Sequence, residues 1–274
     1  MSFASNDTIK KLENTIPEHI NNQSVPKDVL GIINEYIPKL NNKNIHQIVK
    51  DYLSEDEHLK QQVILNYGPI NNWDVSNVTD MNRLFYKKYN FNENISNWNV
   101  SNVINMNRMF QNALSFNQSL NNWNVSNVTS MSSMFERAKS FNQPLNNWDV
   151  SNVTDMKFMF WCSSFNQSLN NWNVSNVTNM SYIIARAGNF NQPLDNWNVY
   201  NVTDMQAMFS HAYNFNQPLN NWDVSNVTNM KSMFNEAYSF NQPLNNWNVS
   251  NVTDMRSMFN RAIEFNREEN AIWY

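Results

Sequence analysis

Glycine, cysteine and long apolar runs are scarce in this chain. Its 274 residues include three glycines and one cysteine, and no stretch approaches the 18 apolar residues of a membrane-spanning helix. The single Cys162 excludes an intrachain disulfide and a zinc site built from paired cysteines. The first residues lack the apolar segment of a signal peptide, and the net charge of -4 does not favour nucleic acid. We therefore expect an intracellular, cytoplasmic protein with no membrane span and no nucleic-acid ligand.

Signatures of catalysis are also missing. The four histidines are dispersed, and no H-x-x-x-H, G-x-G-x-x-G or G-x-S-x-G string occurs. Aspartates alternate with amides at recurring positions, which makes a poor paired-carboxylate site and a diffuse calcium site at best. The sequence therefore predicts a protein that is not an enzyme and that uses no cofactor and no metal. An enzyme would need an activity that depends on a residue such as His211 or Asp149.

Eight of the ten tryptophans recur at a nearly constant interval, which is 25 residues six times and 24 residues once. A fixed period in the twenties is the signature of a solenoid, in which each repeat buries its apolar face on its neighbours. This architecture favours binding on an extended surface over catalysis. The eight repeats run from Trp73 to Phe265, and their tryptophans are Trp73, Trp98, Trp123, Trp148, Trp172, Trp197, Trp222 and Trp247.

The repeat has a clear consensus when each tryptophan is counted as position 0. It reads W-[ND]-V-S-N-V-T-[DN]-M-x-x-M-F-x-x-A-x-x-F-N-Q-[PS]-L-N-N. Apolar residues at positions 0 and 2 alternate as in a short strand, and those at positions 5, 8, 11, 12 and 15 follow one face of a helix. The serine at position 3 matches a helix N-cap. The pattern therefore predicts a short strand, a helix of about three turns and a loop in every repeat.

Three polar positions are expected to form columns along the stack. Asparagine occupies positions 4 and 19 in all eight repeats, and identical amides in successive turns can hydrogen-bond as a ladder and satisfy loop backbone. Position 1 alternates between Asp and Asn and never places two aspartates in adjacent repeats, where they would repel. We expect this column to line the concave, ligand-binding face: Asp74, Asn99, Asn124, Asp149, Asn173, Asn198, Asp223 and Asn248.

The motif L-x-x-W-x-V-x-N-V at residues 145–153 resembles the L-x-x-L-x-L-x-x-N core of leucine-rich repeats. The full signature is similar to that of the BspA-like leucine-rich-repeat family, the mycoplasma-lipoprotein type of repeat that also occurs in protists and giant viruses. The resemblance covers roughly residues 66 to 265. It implies a right-handed α/β solenoid of eight strand–helix repeats, with strands on the concave side and a role in adhesion or protein–protein contact. It also adds virion association to the expected locations.

Residues 1–65 lack the repeat and are predicted to form an N-terminal cap of short helices, followed by the solenoid at 66–274. Within the cap, the string at residues 25–37 resembles the opening of an F-box, although Asn34 departs from that pattern. This resemblance implies a Skp1-like partner and a role as a substrate adaptor of a ubiquitin ligase. An amphipathic helix that begins with proline explains the same string without any partner.

Repeats four and five depart from the consensus. Repeat four is one residue short and carries Phe158, Trp161 and Cys162 where other repeats have small or charged residues, and Tyr182 follows at the outward position of Phe158 in repeat five. An aromatic patch on a polar face predicts a protein-binding hot spot. Alternatively, Trp161 fills the volume left by the missing residue. We expect a protein-interaction module that binds through this patch or the position-1 column, with a surface adhesin or a ubiquitin-ligase adaptor as alternatives.

Overall fold

The repeats form a stack of coils that is held together by backbone hydrogen bonds between successive repeats. The computed structural model describes residues 39–274, so the F-box-like string at 25–37 lies outside the described residues. In the described range, the sheet-type pairings are single parallel bridges at position 7, which run from Asp80–Asn105 to Asn229–Asp254. Within residues 39–274, helices lie only at the two ends of this stack: Ile45–Tyr52 (α1), Glu57–Tyr67 (α2) and Arg267–Asn270 (α3), with a 3₁₀ turn at Ile70–Asn72.

The predicted strand–helix leucine-rich-repeat solenoid is therefore wrong. In the segment that was expected to be helical, every second N–H group closes a local turn, as when Leu84 donates to the Met81 carbonyl three residues back at 3.2 Å. The N–H groups between them leave the coil: Arg83 donates to the Asn107 carbonyl of the next coil at 2.9 Å. An α-helix keeps all these bonds within its own segment. Successive four-residue turns return to the interior at positions 8, 11, 12 and 15, and so they reproduce the spacing of a helix face.

Two residues of every coil have left-handed backbone, which an α-helix excludes. All sixteen residues at positions 10 and 14 have φ between 50° and 61°, and none of them is glycine. Their N–H groups donate to carbonyl oxygens of the next coil at 2.8 to 2.9 Å throughout the first seven coils. The neighbouring coil therefore holds these residues in a conformation that their own side chains disfavour. At position 10 they are Arg83, Arg108, Ser133, Phe158, Tyr182, Ala207, Ser232 and Ser257.

The tryptophans fill the interior, as predicted. All eight are between 2% and 4% exposed, and the Phe side chains stack on their equivalents, with the ring centroids of Phe85 and Phe110 5.5 Å apart. Each buried indole N–H donates to a carbonyl oxygen, as when Trp148 donates to Leu120 at 2.9 Å. An unsatisfied buried donor would cost about 1–3 kcal/mol. The apolar positions of the consensus are thus correctly predicted as core, although their secondary structure is not.

The helices at the amino-terminal end pack against the first coil. Tyr52 of α1 contacts the ring of Trp73 edge-on at 5.3 Å, and its hydroxyl donates to Glu93 at 2.7 Å. Helix α2 is capped by Asp56 and ends at Gly68, whose φ of 71° suits glycine. The described compact unit begins at Lys39 and includes both helices and coils, while the proposed division at residue 65 stays a prediction.

The carboxyl-terminal end adds a ninth tryptophan to the interior column. Trp273 stacks on Trp247 with 6.2 Å between ring centroids, and its indole donates to the Leu244 carbonyl at 2.8 Å. The helix α3 precedes it and adds one residue to the spacing, which is why counting at intervals of 25 misses this tryptophan. Within residues 39–274, the four N–H groups of the last coil that correspond to the donors between coils make no hydrogen bond to protein: those of Met255, Ser257, Phe259 and Arg261.

The left-handed backbone at Ser232 predicts an unusual order of stability. Ser232→Gly should be at least as stable as the wild type and up to about 1 kcal/mol more stable, because glycine relieves the left-handed strain. Ser232→Val should be about 1–2 kcal/mol less stable, because a β-branched residue resists positive φ. Urea unfolding of the full chain measures both values. The matched control is Lys231, which lacks positive φ, and there glycine should be less stable than valine. If this segment were helical, the glycine variant would be less stable than the valine variant at both positions.

Candidate functional site: an aromatic patch beside a basic groove

The position-1 column is exposed along the whole stack, and each member makes a local turn. Its side-chain oxygen accepts the N–H of the residue two positions later, as when Asp149 accepts from Ser151 at 3.0 Å and Asn173 from Ser175 at 3.2 Å. The serine hydroxyl and N–H together lower the pKa of the aspartates in this column, Asp74, Asp149 and Asp223. The column therefore has a structural use. Its assignment to a concave face relied on strands that the structure lacks.

The two asparagine columns satisfy backbone groups, as predicted, but their amides bond to backbone and not to one another. The position-4 amide donates to the serine carbonyl of the preceding coil, as when Asn127 donates to Ser101 at 2.7 Å. The position-19 amide oxygen accepts the backbone N–H of the next asparagine in the column, as Asn92 does from Asn117 at 2.9 Å. These amides satisfy backbone groups between coils, which explains their presence in all eight repeats.

The structure brings Phe158, Trp161 and Tyr182 together on one surface, which we call the aromatic patch. The rings of Phe158 and Tyr182 are parallel within 5° and 4.5 Å apart, and Trp161 meets Phe158 edge-on at 6.3 Å. All three side chains are half-buried. Gln206 donates to the Tyr182 hydroxyl at 2.8 Å and fixes that end of the patch. Phe158 and Tyr182 stack because both occupy left-handed position 10 in adjacent coils.

Trp161 does not fill the space of the missing residue in the fourth coil. The Ser163 hydroxyl bridges the shortened turn, because it donates to the Phe160 carbonyl at 2.8 Å and accepts from the Phe165 N–H at 3.4 Å. In other coils the corresponding Phe N–H bonds directly to an alanine carbonyl, as in Phe116 to Ala113 at 3.2 Å. Trp161 thus lies half-buried at the surface.

A groove of about 700 Å³ runs from the aromatic patch across the first four coils. Phe158 and Trp161 line one end, and Tyr86, Lys87 and Tyr89 line the other. Between them lie Arg108, Arg137 and one carboxylate, Glu136, and the Arg137 guanidinium sits over the Trp161 ring at 4.7 Å. We call this feature the basic groove. The groove cannot be found from the sequence, because its residues come from four repeats and only the register of the stack brings them together.

A second polar cluster lies on the sixth and seventh coils. The Ser210 hydroxyl is 2.9 Å from His211 Nδ1, and His211 Nε2 is 3.4 Å from Glu236. The order of groups resembles a hydrolase triad, but Ser210 is only 7% exposed and its hydroxyl accepts from Asn235. Burial lowers the pKa of His211, although Glu236 opposes this effect. Residues 39–274 contain no cluster of three or more His, Cys, Asp or Glu side chains suited to a metal ion.

Comparison with known proteins places the repeats in a family. Residues 54–169 and residues 161–273 each match the family described as Mycoplasma protein of unknown function, DUF285. The chain belongs to this family. The match confirms the repetitive nature of the chain and its likeness to the mycoplasma type of repeat. No curated protein is significantly similar to the chain. None of the helices within residues 39–274 has the length and apolar character needed to cross a membrane.

The lowered pKa of His211 predicts an acid-sensitive stability. Because the folded-state pKa lies below the ordinary 6.5, the unfolded chain binds this proton more readily as the pH falls below 6.5. Stability should therefore decline from about pH 6.5 down to the folded-state pKa. His211→Gln should lose less stability than the wild type over that range. Thermal unfolding from pH 7.5 to pH 5 measures the difference, and the exposed His58→Gln is the control that should keep the wild-type slope.

Proposed function

We propose that this DUF285 protein is a non-enzymatic interaction module that binds a protein partner through the aromatic patch. The observation that carries this proposal is the tolerance of position 10. With the same left-handed backbone, that position holds Arg83, Ser133 and Ala207 in other coils. Phe158 and Tyr182 are therefore not required by the fold, and their half-buried rings form part of the surface. Clustered, partly exposed aromatic rings are enriched among residues that dominate binding energy.

The family resemblance supports a binding role. The repeat is similar to that of BspA-like proteins, which are associated with adhesion and protein–protein contact, and an extended array presents many equivalent positions for a partner. We favour the aromatic patch over the position-1 column, because each column residue already uses a side-chain oxygen in a local turn. The adaptor and adhesin hypotheses differ in the kind of partner, so identification of the captured partner separates them.

Two variants remove the patch without introducing a residue foreign to the fold. Phe158→Ser and Tyr182→Ser restore the serine found at position 10 in Ser133, Ser232 and Ser257. We expect the double variant to keep the wild-type unfolding midpoint and to lose partner capture by at least about 10-fold, since hot-spot aromatics contribute about 2 kcal/mol or more. The partner is captured on the immobilised full-length chain, and quantitative mass spectrometry compares the amounts recovered by the wild type and by the double variant. Trp161→Ala should have the same effect.

The matched control is Tyr200→Ser. Tyr200 is 50% exposed and stands at position 3, where the other seven repeats have serine. Its substitution removes an exposed aromatic ring elsewhere on the stack and should leave capture unchanged. Equal partner recovery by the wild type and the double variant would refute the aromatic patch as the binding surface.

A further inference from the structure

Positive charge is concentrated on one surface of the first five coils. Positions 9 to 16 of these coils contain eight Lys or Arg residues and a single carboxylate, Glu136, although the whole chain has a net charge of -4. The same positions in coils six to eight contain three Lys or Arg residues and one Glu. The excess of positive charge therefore lies in the coils that form the basic groove and the aromatic patch. The consensus of the repeat does not require it.

The cations of the basic groove have no carboxylate partner within residues 39–274. In the later coils two of the three cations on the same surface are paired, with Arg256 2.7 Å from Asp254 and Arg261 3.4 Å from Glu236. In the first five coils the one ion pair joins Lys157 and Asp155 at 3.5 Å, outside the groove. Lys87, Arg108 and Arg137 line the groove with one carboxylate, Glu136, which pairs with none of them, so the groove keeps an excess of positive charge. A row of free cations beside apolar rings is complementary to carboxylates that alternate with apolar side chains.

On these grounds we propose that the partner presents an acidic, extended segment that lies in the basic groove and places an apolar side chain against the aromatic patch. This inference rests on the proposed function, since it names the chemistry of the partner that the patch binds. Four stacked coils that are about 4.8 Å apart span about 14 Å. An extended peptide of four to five residues has this length. The groove therefore suits a short segment of a larger partner.

The ring arrangement favours a peptide over single-stranded nucleic acid. Proteins bind such strands by letting the bases stack on open faces of aromatic side chains. Here the Phe158 and Tyr182 rings stack on each other, the Arg137 guanidinium covers a face of Trp161, and Arg83 and Lys87 lie over the Tyr86 ring at 5.5 and 5.1 Å. These contacts occupy ring faces that bases would need for stacking, so the patch suits apolar side chains better than bases.

Fluorescence anisotropy of the full-length chain tests the inference. The probe is a labelled 12-residue peptide in which Asp and Glu alternate with Leu and Phe. We expect it to bind, and we expect the peptide with Asn and Gln in place of the acids to bind at least about 10-fold more weakly. Raising the salt concentration should weaken only the acidic peptide. A labelled 12-nucleotide single-stranded RNA is the third probe. Tighter binding of the RNA than of the acidic peptide would overturn the proposal, as would the absence of peptide binding.

Matched triple variants locate the site. Lys87→Gln, Arg108→Gln and Arg137→Gln together should raise the Kd of the acidic peptide at least about 10-fold. Lys231→Gln, Arg256→Gln and Arg261→Gln remove the same charge from coils seven and eight and should change the Kd less than about twofold. Equal weakening by both triples would show non-specific attraction and contradict the proposal. If the acidic peptide fails to bind while Phe158→Ser/Tyr182→Ser still abolishes partner capture, the inference is wrong and the proposed function stands.

Discussion

The hydrogen bond from each left-handed residue to the next coil is the interaction on which the stack depends. Left-handed backbone costs a non-glycine residue about 1–2 kcal/mol, and the chain accepts this cost twice in every coil. A single coil would also leave four N–H groups without partners, together with an indole whose acceptor lies in another coil. The conformation of one repeat is thus determined by its neighbours. Short-range backbone preference alone would not produce it.

This dependence explains which parts of the structure could be predicted from the sequence. The buried positions were predictable, because an apolar residue repeated eight times at one position must face a shared interior, whatever the backbone does. The secondary structure was not predictable, because turns of four residues place Met81, Leu84 and Phe85 at the same 3–4 spacing as a helix. The usual sequence sign of left-handed backbone is glycine or asparagine. Of the sixteen left-handed residues, only Asn112 carries that sign.

The binding surface could likewise be predicted from the sequence only in part. Phe158 and Tyr182 could be paired from the sequence, because they occupy one position in adjacent repeats and the register of the stack places them side by side. The basic groove could not be found in this way. Lys87, Arg108 and Trp161 occupy different positions in three coils, and their proximity depends on the direction that each side chain takes from a turn. Position 10 is informative because the fold tolerates many residues there, so an aromatic ring at that place has no structural necessity.

The four unsatisfied N–H groups of the last coil show how such a protein can vary in length. Each coil presents the same row of donors to its successor, so whole units of one period can be gained or lost without altering the bonds that this row makes between the other coils. A change of a single residue is accommodated only outside that row. The shortened fourth coil follows this rule, since its deletion falls after Cys162, the last donor of its row. Duplication of complete units is therefore the natural mode of growth for this architecture.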